Sequence, residues 1–323
     1  MRGNLRVSIG LCALVDGVTE IVLRIFVVSK IKHESNSRLG IAAAAYAVTV
    51  WGYGNVLVRD IPLAGSEVAA LRLWLGAGLA IVLLYVTGRK LSLRAFYVGL
   101  GGGISFGLNS TLFFTAVKYT SPTTATIIGA LQPALLLMVV GKLFGERVTR
   151  SSILASFVAL VGTVVVVLGA PKSGHDSLFG DLLAVGALIA YCTYFVFSKK
   201  ARESLGTFEY QASMQLSAAI VVTPIALLTN GTSAVSLSDM FLILVLTVIP
   251  GGGHFFMNWA HNKISLSIAS LLTLATPVAT MIFAKVMLNQ SVTLLQVVGT
   301  AIVLGALSVL VLRAPKLDVA VAD

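Results

Sequence analysis

The chain has 323 residues, of which only 36 are charged, 23 Lys and Arg against 13 Asp and Glu. That is 11% of the sequence, compared with about 25% in ordinary soluble domains. Hydrophobic residues make up 57% and the mean hydropathy is +0.95. So few charges could not cover the surface of a soluble protein of this length. The composition therefore excludes a soluble enzyme, a disordered chain and a nucleic-acid binder.

Residues 1–38 are predicted to be an N-terminal extension, because charges interrupt their apolar stretch. Asp16, Glu20 and Arg24 share one helical face, as residues four apart do. This spacing favours an interfacial amphipathic helix or a poorly ordered segment, and an eleventh span is the other option. Cys12 and Cys192 lie in apolar runs without the spacing of a metal or disulfide motif.

The rest of the chain is a series of ten apolar runs separated by short polar links. Each run has about 20 residues, the length of a helix that crosses a bilayer. The runs are placed at about 39–58, 65–87, 96–117, 121–142, 151–169, 179–198, 209–229, 240–260, 264–287 and 292–312. We therefore predict an all-α integral membrane protein with ten transmembrane helices in one bundle, followed by a tail at 314–323.

The basic residues of the links are distributed unevenly between the two predicted sides of the membrane. One side receives 13 of them and the other only Arg59, Lys118, Lys172 and Lys285. Because Lys and Arg accumulate on the cytoplasmic side, both termini are predicted to be cytoplasmic in a cell-membrane protein. The formal net charge of +10 is then an orientation signal and does not indicate a nucleic-acid partner.

An internal repeat relates the two halves of the sequence at an offset of 144 residues, which places Pro133 on Pro277. The halves, 39–170 and 171–313, then hold five spans each. An odd number of spans inserts the halves with opposite orientation, which is typical of transporters with a substrate site near the midplane. The alternative is a chance similarity between apolar helices.

Glycine-rich segments occur in corresponding spans of both halves, at 99–107 and at Pro250 to Gly253. Paired interruptions of this kind point to a transporter site, and they predict loosened helices. The alternative is that the glycines allow close helix packing.

Several motifs together resemble the drug/metabolite transporter superfamily, in its ten-helix EamA-type branch. The resemblance covers residues 39–313 and depends on Trp51-Gly52, Leu71-Arg72, the segments 116–120, 145–149, 180–184 and 294–305, and the two prolines above. It implies secondary transport, commonly export, of small metabolites such as amino acids or drugs. It also implies that the chain is not an enzyme and needs no cofactor.

One position departs from the repeat: Glu146 corresponds to Gln290 in the second half. Glu146 is interpreted as part of a solvated turn that pairs with Arg147 or Arg150.

Arg72 lies inside span two and is the leading candidate for a substrate-binding residue, since charges in a membrane helix tend to face the interior. It could hold a substrate carboxylate, or its long side chain could reach the headgroups instead. In span eight, His254 and Asn258 share a face and Trp259 follows them. His254 is a candidate proton carrier, or its ring is satisfied by a backbone carbonyl; uncoupled facilitation stays open.

The other candidates are aromatic and amide side chains that suit an amphipathic metabolite. They are Trp51, Tyr53, Asn55, Asn109, Gln132, Tyr191, Tyr194 and Gln215. The alternative is an aromatic interface belt with ordinary hydrogen bonds between helices.

A second function also fits the sequence, an intramembrane serine protease. Residues 103–107 read G-x-S-x-G, so Ser105 and His254 could form a dyad for nucleophilic attack. Ten spans with an inverted repeat argue against it. We expect a small-molecule substrate and the lipid bilayer as partners, no metal, and leave a homodimer open.

Overall fold

The computed structural model describes residues 35–58, 61–120, 125, 128–146, 148–169, 177–230 and 235–322. The extension before residue 35 lies outside the described residues, which form helices and turns without a strand. The helices are α1 (Ser35–Leu57), α2 (Gly65–Val86), α3 (Leu93–Tyr119), α4 (Gln132–Phe144), α5 (Arg150–Leu168), α6 (Leu178–Arg202), α7 (Thr207–Asn230), α8 (Leu237–Ala260), α9 (Leu266–Leu272), α10 (Thr276–Leu288) and α11 (Leu294–Ala322).

Seven helical segments are long and apolar enough to cross a membrane. They are α2, α3, α5, α6, α7 up to Thr229, α8, and the segment Leu266–Met287 that joins α9 to α10. Two shorter apolar helices, Gln132–Phe144 and Leu294–Val309, accompany them. The first predicted run, 39–58, overlaps α1, which is not among these segments. The other runs overlap the segments above, except that 121–124 and 126–127 of the fourth run lie outside the described residues.

The run predicted at 264–287 is not one continuous helix. A 3₁₀ turn, Thr273–Ala275, separates α9 from α10, and Pro277 is the second residue of α10. Proline has no N–H, and its ring clashes with the carbonyl four residues earlier, here that of Thr273. The α-helix therefore gives way to a tighter turn before the proline. α4 also begins with its proline, Pro133, directly after a turn at Ala130–Leu131.

The glycine-rich segments do not interrupt α3 or α8, so the prediction of loosened helices is wrong. Several of these glycines allow close packing instead. A Cβ atom on Gly103 would lie 2.6 Å from the Met214 carbonyl oxygen of α7, and one on Gly253 would lie 2.8 Å from the Trp51 indole nitrogen of α1. Only glycine fits such approaches, as in membrane helix interfaces generally.

Helix boundaries recur at the 144-residue offset. α4 spans 132–144 and α10 spans 276–288, so both ends differ by 144. Each of these helices has a left-handed C-cap, Gly145 with φ 66° and Asn289 with φ 50°. The serine N-caps of α3 and α8, Ser92 and Ser236, are also 144 apart.

Hydrogen bonds between helix ends sort the bundle into two faces. At the face where α1 begins, called the basic face, Lys199 near the end of α6 donates to the carbonyl oxygens of His261 and Ile264 after α8 (2.5 and 2.8 Å). At the opposite face, Thr120 after α3 donates to Asp181 of α6 (2.5 Å), and the hydroxyls of Ser66 and Thr229 lie 3.0 Å apart. α5 and α11 pack together at one side, against α9 and α10.

Candidate functional site

A cavity of about 180 Å³ lies inside the bundle. Its described lining comes from both halves of the chain, from α1 to α4 and from α6, α8 and α10 with the turn before it, and includes no residue of α5, α7 or α11. The lining of α1 lies in its last third, at Trp51, Gly54 and Asn55, while that of α6 runs from Ala184 to Tyr191, at the middle of the helix. The cavity is therefore displaced towards the opposite face.

Seven of the twelve residues predicted to bind substrate line this cavity: Trp51, Asn55, Arg72, Asn109, Gln132, Tyr191 and His254. Five others lie elsewhere: Tyr53, Tyr194, Gln215, Asn258 and Trp259. Sequence reasoning missed several apolar and hydroxyl residues of the lining, among them Phe106, Phe114, Ser110 and Thr273.

Arg72 is the only Lys or Arg side chain of the described lining, and that lining contains no Asp or Glu. It is 5% exposed, so it does not reach out to the headgroups. Its guanidinium carbon lies 5.6 Å from the ring centres of both Phe106 and Phe114, a distance at which rings attract a cation. Among the described residues, no carboxylate pairs with it.

Aromatic rings form the deep end of the cavity, around His254. The His254 ring centre lies 4.7 Å from that of Trp51, 4.5 Å from that of Phe106 and 6.1 Å from that of Tyr194. The Tyr191 and Tyr194 rings stack with their centres 5.8 Å apart. This wall suits the apolar body of a metabolite.

The amide side chains of the lining are partly used by the protein itself. Asn109 donates to the Ala187 carbonyl oxygen (2.9 Å), and the Gln132 side-chain oxygen accepts from the Thr273 hydroxyl (2.9 Å). The Gln132 side-chain nitrogen, the Trp51 indole nitrogen and His254 Nδ1 are buried without a hydrogen-bond partner among the described residues. Such unpaired groups are unusual in native proteins and call for an explanation.

A buried polar network lies between the cavity and the basic face. Asn258 Oδ1 accepts from the hydroxyls of Tyr194 (2.8 Å) and Ser198 (2.6 Å), while its Nδ2 donates to Gln211 Oε1 (2.9 Å). The Ser198 hydroxyl also meets His261 Nδ1 at 2.8 Å. Tyr194 and Asn258, predicted as substrate ligands, are thus tied to one another and link α6, α7 and α8.

The other three outlying residues have separate partners. The Tyr53 ring packs edge-on against Phe283, 5.5 Å between centres, and the Trp259 ring lies 4.4 Å from the Lys263 ammonium. Gln215 on α7 lies against Gly76 of α2, where a Cβ atom would be 2.8 Å from its side-chain nitrogen. None of these three lines the cavity described here.

His261 follows the last residue of α8 and is fully buried. Burial, followed by the nearby charges of Lys199 and Arg202, lowers the pKa of His261 to about 3. The ring is therefore neutral at physiological pH.

Glu146 is not part of a solvated turn. Arg147, one of its two predicted ion-pair partners, lies outside the described residues, and no described ion pair joins Glu146 to Arg150. The side chain is 8% exposed. Its carboxylate accepts from the backbone N–H groups of Leu266 (2.6 Å) and Ser267 (3.1 Å), and from the Ser267 hydroxyl (2.6 Å). It therefore caps the beginning of α9, joining the two halves of the chain at the basic face.

The protease alternative finds no support in the geometry. The Ser105 hydroxyl donates to the Gly101 carbonyl oxygen of its own helix (2.8 Å). His254 is enclosed by rings instead, and no described hydrogen bond joins the two residues. A nucleophile and its base need such a bond.

The sequence pattern of the EamA-like transporter family matches this chain twice, at residues 38–168 and 178–312. The chain is 27% identical over 270 residues to the uncharacterized transporter YyaM of Bacillus subtilis, covering 78% of this chain and 86% of that protein. It is 25% identical over 283 residues to a probable amino-acid metabolite efflux pump of Salmonella typhimurium, covering 82% and 92%.

A solved crystal structure shares the fold, with a TM-score of 0.72 at 19% identity, over 88% of this chain and 99% of that one. The two matches together cover most of the chain, and the named relatives are transporters. The apolar helices and the cavity agree with a multi-pass membrane protein that carries a small molecule and is not an enzyme. The chain belongs to the EamA-like transporter family.

Proposed function

We propose that the chain is a secondary transporter that exports small metabolites through the central cavity by alternating access. The observation that carries the proposal is the cavity itself, which both halves line around one buried cation, Arg72. Polar and charged groups inside a membrane bundle are costly and mark substrate pathways. The seven predicted residues of the lining are proposed to contact the substrate. Tyr194 and Asn258, which lie between the cavity and the basic face, are proposed to hold that end of the cavity in place.

The two halves are proposed to be inverted repeats of five spans each. Three observations support this: the family pattern matches twice, the boundaries of α4 and α10 differ by 144 residues at both ends, and α1 begins at the basic face whereas its counterpart α6 ends there. Inverted repeats that rock about a midplane site produce alternating access.

The basic face is proposed to be cytoplasmic, with both termini on that side. The assignment of the links from the sequence gives 13 Lys and Arg residues to this side and 4 to the other, which is the expected bias for cytoplasmic loops. The displaced cavity then corresponds to an outward-facing state. Export is supported by the name of the Salmonella relative, an efflux pump for amino-acid metabolites. If transport is coupled to protons, His254 is the proposed carrier.

The test is solute counterflow in proteoliposomes with Gly129→Trp, which places a bulky ring in the cavity. Gly129 lines the cavity, and a Cβ atom there meets nothing within 4 Å among the described residues, so the substitution fills space without a clash against the described backbone. Gly78→Trp is the matched control, because Gly78 is also exposed and helical with open space around it, outside the lining.

The panel contains amino acids, their 2-oxo acids and their amines. We expect saturable counterflow of at least one compound, lost in Gly129→Trp and retained in Gly78→Trp. Counterflow equal to that of protein-free liposomes for every compound, or equal loss in both variants, would contradict the proposal.

A further inference from the structure

We infer that the cavity selects organic monoanions with an apolar body over zwitterions and cations of the same shape. This inference rests on the proposed transport function and narrows its substrate class. It depends on three features of the described lining: its charge, its unpaired hydrogen-bond donors and its aromatic wall.

The first feature is an uncompensated positive charge. Arg72 is 5% exposed and the described lining supplies no carboxylate. A buried charge without a partner is expensive, and arginine cannot escape this cost by losing its proton. The Phe106 and Phe114 rings, 5.6 Å away, offset only part of it. A carboxylate in the cavity would supply the missing anion, and the planar guanidinium can bind it through two hydrogen bonds.

The second feature is a pair of buried hydrogen-bond donors. The Trp51 indole nitrogen and the Gln132 amide nitrogen can only donate, and neither has a partner among the described residues. A ligand rich in acceptor oxygens satisfies these groups, whereas an ammonium, which has donors alone, leaves them unpaired.

The same charge decides between an anion and a zwitterion. A zwitterion could place its carboxylate on Arg72, but its ammonium would then enter a lining without an acidic side chain and close to a fixed positive charge. The site would keep a net charge of +1 with a zwitterion and become neutral with a monoanion. Because a net charge is costly in a membrane interior, the monoanion is favoured. The third feature, the aromatic wall of the Trp51, Tyr191 and Phe106 rings, accommodates the apolar part of the monoanion.

The experiment compares three series with methyl, isobutyl and benzyl side chains, each as the 2-oxo acid, the amino acid and the amine. Binding is measured by the shift in melting temperature, and transport by inhibition of counterflow. In the wild type, we expect the 2-oxo acid of the best series to bind about tenfold or more tightly than its amino acid, because only the amino acid leaves the site with a net charge. The amine is expected to bind most weakly.

Arg72→Gln is expected to reduce this ratio to within about threefold, whereas the exposed matched control Arg94→Gln keeps the wild-type ratio. If Arg72→Gln does not fold, Arg72→Lys takes its place. It retains the charge but loses the planar fork, so it should keep the preference at lower affinity.

The outcomes separate the two proposals. Counterflow without a preference for the 2-oxo acid, or a preference that survives Arg72→Gln or is lost in Arg72→Lys, overturns the inference and leaves the transport function standing. Absence of counterflow for every compound overturns the transport function. Melting shifts with the expected ratio would in that case still identify an anion-binding cavity.

Discussion

The carboxylate of Glu146 is predicted to hold the basic face closed. It makes three hydrogen bonds to the beginning of α9, two with backbone N–H groups and one with the Ser267 hydroxyl, and the contact joins the two halves. In Glu146→Gln, one acceptor oxygen is replaced by an NH₂ group that faces donors. A hydrogen bond to a charged group contributes about 1.5–3 kcal/mol. The variant should therefore shift the equilibrium from closed towards open at this face by roughly 10- to 150-fold.

The assay is a distance measurement between spin labels on the two halves at the basic face. Labels replace Lys90, after α2, and Lys200, near the end of α6, both exposed, in a chain whose two cysteines are changed to alanine. We expect a longer-distance population to grow in Glu146→Gln and not in the exposed control Glu203→Gln. An unchanged distance distribution in Glu146→Gln, with the protein folded, would refute the reasoning.

The residues that would form the corresponding contact at the opposite face differ from those at the basic face. At the offset of 144, Glu146 corresponds to Gln290 and the Leu266 position to Pro122. Gln290 has no charge and Pro122 has no N–H to donate. A corresponding contact at the opposite face would therefore be weaker, which agrees with the proposed outward-facing state.

Three further predictions concern stability. Gly103→Val should lower the melting temperature far more than Gly78→Val, because its side chain would collide with α7 and overpacking costs about 1–3 kcal/mol. Asn258→Ala should cost about 2–4 kcal/mol, because it leaves several buried groups unpaired, while the exposed Asn262→Ala should be neutral; equal effects in chemical unfolding would contradict this. His261 has a folded pKa of about 3, below the unfolded value, so acid favours the unfolded state. Because of this residue, the free energy of unfolding should fall by about 2 kcal/mol from pH 7 to pH 5. His261→Gln should remove that part of its pH dependence.

The positions of the helices could be predicted because apolar runs and short polar links are local features of the sequence. Arg72 could be identified for the same reason, since a charge inside an apolar run tends to face the interior of the bundle. The break before Pro277 follows from proline chemistry. The partner of Glu146 could not be predicted, because the contact joins residues about 120 positions apart.

The five candidates that lie outside the lining show how helix geometry separates neighbouring residues of one span. Trp51 and Asn55 are four residues apart and line the cavity together, whereas Tyr53 between them points to Phe283, as helical periodicity requires. Asn258 shares a face with His254 but lies one turn nearer the basic face, below the cavity. Depth along the bundle depends on helix packing, which local sequence patterns do not give. Phe106 and Phe114 were missed because an apolar lining residue looks like any core residue.

The central claim is that one cavity is reached alternately from the two faces of the membrane. The most direct test is the reaction of Gly129→Cys, in a chain without its two natural cysteines, with an impermeant thiol reagent added to one side of sealed vesicles at a time. The account predicts reaction from both sides, faster from the side opposite the basic face, and protection on both sides by a transported ligand. Reaction from one side only, with and without ligand, would mean a binding pocket without a pathway and would contradict the account.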